Sequence, residues 1–239
     1  MGVYANQEII AAIQAGAIVC TPFHPEHVAE ASLDFTLGYY FYKQESTEDY
    51  RIYNPFDAED VARYFKGPLT AMPHQQWCQR FGYTPLKNIP PEQPIIVLKP
   101  GERILAHTHE FIGIRAEGGA AQVLSRSSWG RSGVAVCFDA GWIDPGYINR
   151  ITLEVYNLNM HESVVLPVGE RIGQLVFHKT GPVAGGYGSG QRQVSDKYQT
   201  GSNLSEIIKS WRPDMMLPKA YKDTRRLPEP VDGLSEGLR

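Results

Sequence analysis

Apolar positions recur along this chain with two periods. In residues 6–15, Ile9, Ile10 and Ile13 fall on one face of a helix that Asn6 can cap and Gly16 can end. Leu33, Phe35 and Leu37 then alternate with polar residues up to Gly38, the pattern of a half-buried strand. From Ile95 onward short apolar runs follow one another at 95–98, 104–106, 134–138, 151–156, 163–166 and 172–177, with turns such as Pro100-Gly101 between them. Many short strands, Gly/Pro punctuation and few helices predict a mainly β chain, a distorted barrel or sandwich. Residues 43–94 differ in character. They hold Pro55, Pro68, Pro73, Pro85, Pro90, Pro91 and Pro94, and one helical patch from Asp57, so they read as a long insertion with a short helix. Residues 185–190 are glycine-rich, and past Trp211 the prolines 213, 218, 228 and 230 predict an extended tail.

At 239 residues the chain is long enough to bury a sizeable core. A net charge of −3, with both signs scattered, provides no basic field for a nucleic-acid polymer. The three cysteines, Cys20, Cys78 and Cys137, form no pair motif, which fits a reducing, cytoplasmic compartment. Residues 1–18 carry Glu8 and no basic start, unlike an export signal. No run approaches the roughly 20 apolar residues that span a bilayer, so no membrane partner is expected.

Chemistry concentrates between Arg126 and Phe177. In 151–156 the alternation turns Leu153 and Val155 one way and Thr152, Glu154 and Tyr156 the other. An isolated glutamate on such a strand is usually solvated, but this one follows two further motifs. Arg126-Ser127-Ser128-Trp129-Gly130-Arg131 offers guanidinium, hydroxyl and backbone donors within one turn, which suits an oligophosphate as well as a capped helix start. Asp144-Pro145-Gly146 is a turn that can also hold a carboxylate rigidly. His107 and His109 lack a third ligand at metal spacing, and the zinc-deaminase signature is missing, so no zinc is expected. The segment bearing Tyr187 and Lys197 is either a linker or an arm that closes over a nucleotide.

These motifs resemble those of the dCTP deaminases in the dUTPase superfamily. The likeness rests on Arg126-Ser127-Ser128-x-Gly130-Arg131, Ala140-Gly141-x-Ile143-Asp144-Pro145-Gly146, Ile151-Thr152-Leu153-Glu154, Ile172-Gly173-Gln174-Leu175 and, more weakly, Tyr187 with Lys197-Tyr198-Gln199. It covers roughly residues 3–42 and 95–203. The resemblance implies a dUTPase-like distorted β-barrel with a short N-terminal helix and a helical insertion. It makes 1–203 one deaminase domain, with the insertion at 43–94 and a mobile closing arm at 181–203, followed by a C-terminal extension at 204–239. It further implies a homotrimer with active sites between subunits, acting on dCTP with Mg2+ on the phosphates and without zinc. Glu154 would be the general acid/base. Ser127 and the Ala140 carbonyl would hold the attacking water, with Arg131 assisting. Arg126, Ser127 and Ser128 would line the phosphates, Asp144 the deoxyribose, Thr152 and Leu153 the base, and Tyr187 and Lys197 would come from the closing arm. Asn149 stands where the family has glycine; since Asn tolerates the left-handed region, the turn is expected to survive.

The activity implied first is hydrolytic deamination of dCTP to dUTP and ammonia. The alternatives are a bifunctional enzyme that carries on to dUMP, a pure dUTPase and, last, a non-catalytic nucleotide sensor. Whether dTTP acts as an inhibitor is left open.

Overall fold

The computed structural model describes residues 2–44, 52–190, 197–199 and 201–223. Its strands pair antiparallel throughout the described residues and form four sheets. The largest runs in the order Val134–Ala135, Thr152–Asn157, Arg103–His107, Tyr40–Gln44 and Phe65–Thr70. A second joins Trp142–Ile143, Ala120–Ser125, Arg171–His178 and Leu33–Thr36. A third pairs Phe111–Ile114 with Ile18–Thr21 and Ile148–Asn149, and a fourth pairs Pro94–Leu98 with Val164–Pro167 and Met72–Pro73. Leu33, Phe35, Ile96, Ile112, Leu153 and Phe177 bring all four sheets onto one buried cluster. Each such side chain contributes roughly 1.5–3 kcal/mol by leaving water. The mainly β architecture predicted from the strand spacing is therefore present.

Several local expectations are corrected. The first helix is Asn6–Gln14, with Ala5 rather than Asn6 as its cap; Glu8 reaches back to accept from the Ala5 N–H at 3.0 Å. Gly16 does close it, at a φ of 76°. The Leu33–Thr36 strand is buried on both faces, not one. Its polar face stays dry because Asp34 meets Arg126 and Arg171 at 3.0 and 3.3 Å, and the Thr36 hydroxyl donates to Glu110 at 2.7 Å. The strand predicted at 134–138 is only Val134–Ala135, while Phe111–Ile114 and Ala120–Ser125 are strands that the sequence pattern did not single out.

The 43–94 segment is woven into the sheets. Its expected helix, Ala58–Tyr64, is capped by Asp57, whose carboxylate accepts from the Glu59 N–H at 2.9 Å. A second helix, His74–Phe81, was hidden by the surrounding prolines; Gly82 ends it in the left-handed region. Phe65–Thr70 and Met72–Pro73 extend two sheets. In its described residues, up to 223, the tail past Trp211 is not extended. A helix, Leu204–Ser210, capped by Asn203, precedes short 3-10 turns at Pro213–Met216 and Ala220–Lys222. Residues 224–239 of the expected extension lie outside the described residues.

Candidate active site

Strand alternation places the candidate acid. Along Thr152–Asn157 the odd residues Leu153 and Val155 are fully buried, while Thr152 and Glu154 turn to the opposite face. There they line a cavity of about 340 Å3 together with Ala140, Asp144 and Tyr187. Glu154 sits across the ladder from Leu105. Burial raises its pKa above the ordinary carboxylate value; the bond from Cys137 and the charge of Arg103 oppose the rise without cancelling it. Cys137 donates its S–H to Glu154 Oε2 at 3.7 Å. Its own thiol is pushed up to about 12 by burial and by that carboxylate, so it stays protonated and remains a donor. The pair gives a carboxyl group whose raised pKa suits it to both taking and giving a proton.

The Asp144 turn forms a second wall. The Tyr147 N–H donates to the Asp144 carbonyl at 3.1 Å, and Gly146 adopts a φ of 95°. A Cβ on Gly146 would lie 2.6 Å from the Tyr187 nitrogen, so glycine there lets the glycine-rich segment approach. The Tyr187 N–H donates to the Pro145 carbonyl at 2.7 Å. Gln199 completes the seam: its side-chain oxygen accepts from the Ile148 N–H at 2.7 Å, and its amide donates to the Gly146 carbonyl at 3.1 Å. The Tyr198 N–H reaches the Tyr187 hydroxyl at 3.2 Å. In its described residues the arm expected to close is thus packed against the Asp144 turn. Residues 191–196 and 200 of that arm lie outside the described residues.

Not every expected site residue joins this cavity. The Leu153 side chain belongs to the core. The Arg126 guanidinium forms an ion pair with Asp34 at 3.0 Å. Ser127, Ser128 and Arg131 lie exposed on the short helix Ser127–Arg131 and do not line the cavity that holds Glu154. Lys197 donates to both carboxylate oxygens of Asp223, at 2.7 and 2.9 Å, and lines a neighbouring cleft. Asn149 is not left-handed: it continues a strand, and its amide donates to the Tyr198 carbonyl at 3.0 Å.

His107 and His109 share no ligand position. The buried His107 ring bonds the Thr108 carbonyl at 2.7 Å and the Tyr40 N–H at 3.1 Å, whereas His109 leans on Tyr39. Among the described residues no three His, Cys, Asp or Glu side chains converge as a protein-held metal requires.

Sequence reasoning missed Cys137, Tyr147, Tyr198, Met216 and Pro218. Of these, Tyr147, Tyr198, Met216 and Pro218 line the cavity, and Cys137 touches Glu154. Cys137 stands only three residues before Ala140, but no spacing rule marks it. Met216 and Pro218 reach the cavity through tertiary packing that no local pattern encodes.

A turn-held aspartate and a desolvated glutamate thus line one cavity of a mainly β fold. The dCTP deaminase-like family model matches residues 3–180, and the chain belongs to that family. Over 183 residues it is 32% identical to a protein of Methanopyrus kandleri named "dCTP deaminase, dUMP-forming", covering 75% of this chain and 82% of that one. A protein of the same name from Nanoarchaeum equitans is 31% identical over 211 residues, covering 86% of this chain and 98% of that one. Among solved structures, the 2'-deoxycytidine 5'-triphosphate deaminase of Agrobacterium tumefaciens superposes with a TM-score of 0.49 at 20% identity, over 74% of this chain and 48% of that one.

Proposed function

We propose that the chain converts dCTP to dUMP, pyrophosphate and ammonia, consuming two waters. The relatives named for dUMP formation favour this bifunctional reading over the release of dUTP expected first. The observation that carries it is the sharing of one cavity by Glu154 and Asp144, because two hydrolytic steps call for two carboxylates.

In the first step water attacks C4 of the cytosine ring. Glu154 takes one of its protons as the C–O bond forms and delivers it to N3; the remaining proton of the added hydroxyl then passes through Glu154 to the amino group as the C–N bond breaks, leaving a C4 carbonyl and ammonia. A carboxyl group with a raised pKa serves both transfers. In the second step a water held by Asp144 attacks the α-phosphorus, the α–β anhydride bond breaks, and pyrophosphate departs. Mg2+ carried on the nucleotide phosphates would neutralise the charge that builds as pyrophosphate leaves.

The reading extends to a homotrimer. Ser127, Ser128 and Arg131 stand exposed outside the cavity. A neighbouring copy that presents this helix would supply the donors that the triphosphate needs and that one chain leaves elsewhere. Phe138, 67% exposed, and Trp142, 56% exposed, offer apolar area on the Glu154 side of the fold for such a contact.

Glu154→Gln should stop ammonia release from dCTP by at least about 100-fold while pyrophosphate is still released from dUTP. Asp144→Asn should stop pyrophosphate release. Near-normal ammonia release by Glu154→Gln contradicts the assignment.

A further inference from the structure

The family match ends at residue 180, yet the wall of the cavity does not. The segment after Leu204–Ser210 folds back over the Arg103–His107 strand and stays there through several independent contacts. The Trp211 ring lies 4.8 Å from that of His107, and the Arg150 guanidinium sits 4.7 Å over the indole. Met216, only 3% exposed, packs with Tyr42, Val61, Phe65 and Leu105. The Lys219 N–H donates to the Tyr198 hydroxyl at 3.1 Å, and its ammonium to the Lys197 carbonyl at the same distance. This is a packed attachment of the kind that a trailing strap does not make.

Its consequence falls on the cavity. Leu105, against which Met216 packs, is the ladder partner of Glu154. Met216 and Pro218 line the same cavity as Glu154 and Thr152. A thioether and a pyrrolidine ring are apolar surfaces with no donor and only the weak sulfur acceptor, suited to the flat face and hydrogen-bearing edges of a heterocycle.

We propose that Met216 and Pro218 are specificity-determining residues: the C-terminal extension limits the size of the pyrimidine that can sit against Glu154. The proposal rests on the reading that this cavity takes the base of dCTP.

The test compares dCTP with 5-methyl-dCTP and N4-methyl-dCTP on the wild-type protein, Met216→Ala and Pro218→Ala. Each variant should raise kcat/KM for at least one methylated substrate relative to dCTP by about 10-fold, the discrimination that one methyl group carries in an apolar pocket. Dissociation constants for the same three nucleotides, by calorimetry with Mg2+ present, should shift in the same ratio. Absence of ammonia from dCTP with the wild type contradicts the proposed function, and the binding ratios then still decide the present proposal. Ratios that stay flat in folded variants overturn it. Should Met216→Ala fail to fold, Pro218→Ala decides alone, since Pro218 is only partly buried.

Discussion

Glu154 owes its chemistry to a buried position that raises its pKa. Protonation removes the base, so deamination should fall on the acid side with a midpoint above the ordinary 4.5. The same shift acts on stability. Between 4.5 and the folded value the native state keeps a proton that the unfolded state has lost, so stability declines as pH rises through that window. Glu154→Gln should therefore melt at or above the wild-type temperature at pH 7; a clearly lower melting point would show that the carboxylate supports the fold instead. His107 works in the opposite sense. Since the Thr108 carbonyl only accepts, His107 Nδ1 carries the proton and Nε2 accepts from Tyr40, and burial lowers the ring's pKa to about 4. Its contribution is complete above the unfolded value of 6.5 and is lost as pH falls toward about 4, a span worth roughly 3 kcal/mol. An NMR titration should find one histidine still neutral at pH 5; a midpoint near 6.5 for every histidine contradicts this. The side to which Glu154 points was legible from alternation alone. That Arg126 would be taken by Asp34 was not, because the two meet only once the sheets are assembled.

Elements were legible where one face had to meet the core and the next residue had to avoid it. The Thr152–Asn157 and Arg171–His178 strands follow their alternation closely. Leu33–Thr36 escaped the rule because ion pairs and hydrogen bonds satisfy its second face. The His74–Phe81 helix was masked by prolines at both ends, although Trp77 and Phe81 stand four residues apart and their rings lie 5.0 Å from each other. Leu204–Ser210 carries a sequence signal in Asn203 followed by Glu206, the pattern of a capped start, which the glycines before it obscured. Packing between elements leaves little slack at Gly38, where a Cβ would run into the His107 imidazole. Gly38→Ala should destabilise by about 1–3 kcal/mol in urea unfolding; an unchanged midpoint would mean that the two strands can separate freely. Truncation after Thr180 removes Tyr187, Tyr198 and Met216 from the cavity. It should abolish turnover of dCTP, and wild-type turnover by the truncated chain would reduce the arm to a linker.

At the scale of the molecule, four small antiparallel sheets share one core, and Met216 of the extension joins Tyr42, Val61, Phe65 and Leu105 in a second apolar cluster. This arrangement brings a strand, a turn and a C-terminal segment to one cavity while leaving the serine- and arginine-bearing helix elsewhere on the surface. The proposed trimer accounts for that separation, and light scattering should find three copies; a fully active monomer at nanomolar concentration contradicts it. The mainly β class could be read from the sequence because strand spacing is a local property. The membership of the cavity could not, since it depends on how distant segments fold back. The most direct test of the account is a time course of products from dCTP and Mg2+ on the wild-type chain. Ammonia, pyrophosphate and dUMP should appear in equal amounts, with no dUTP accumulating at any time. Stoichiometric accumulation of dUTP, or pyrophosphate without ammonia, would contradict it.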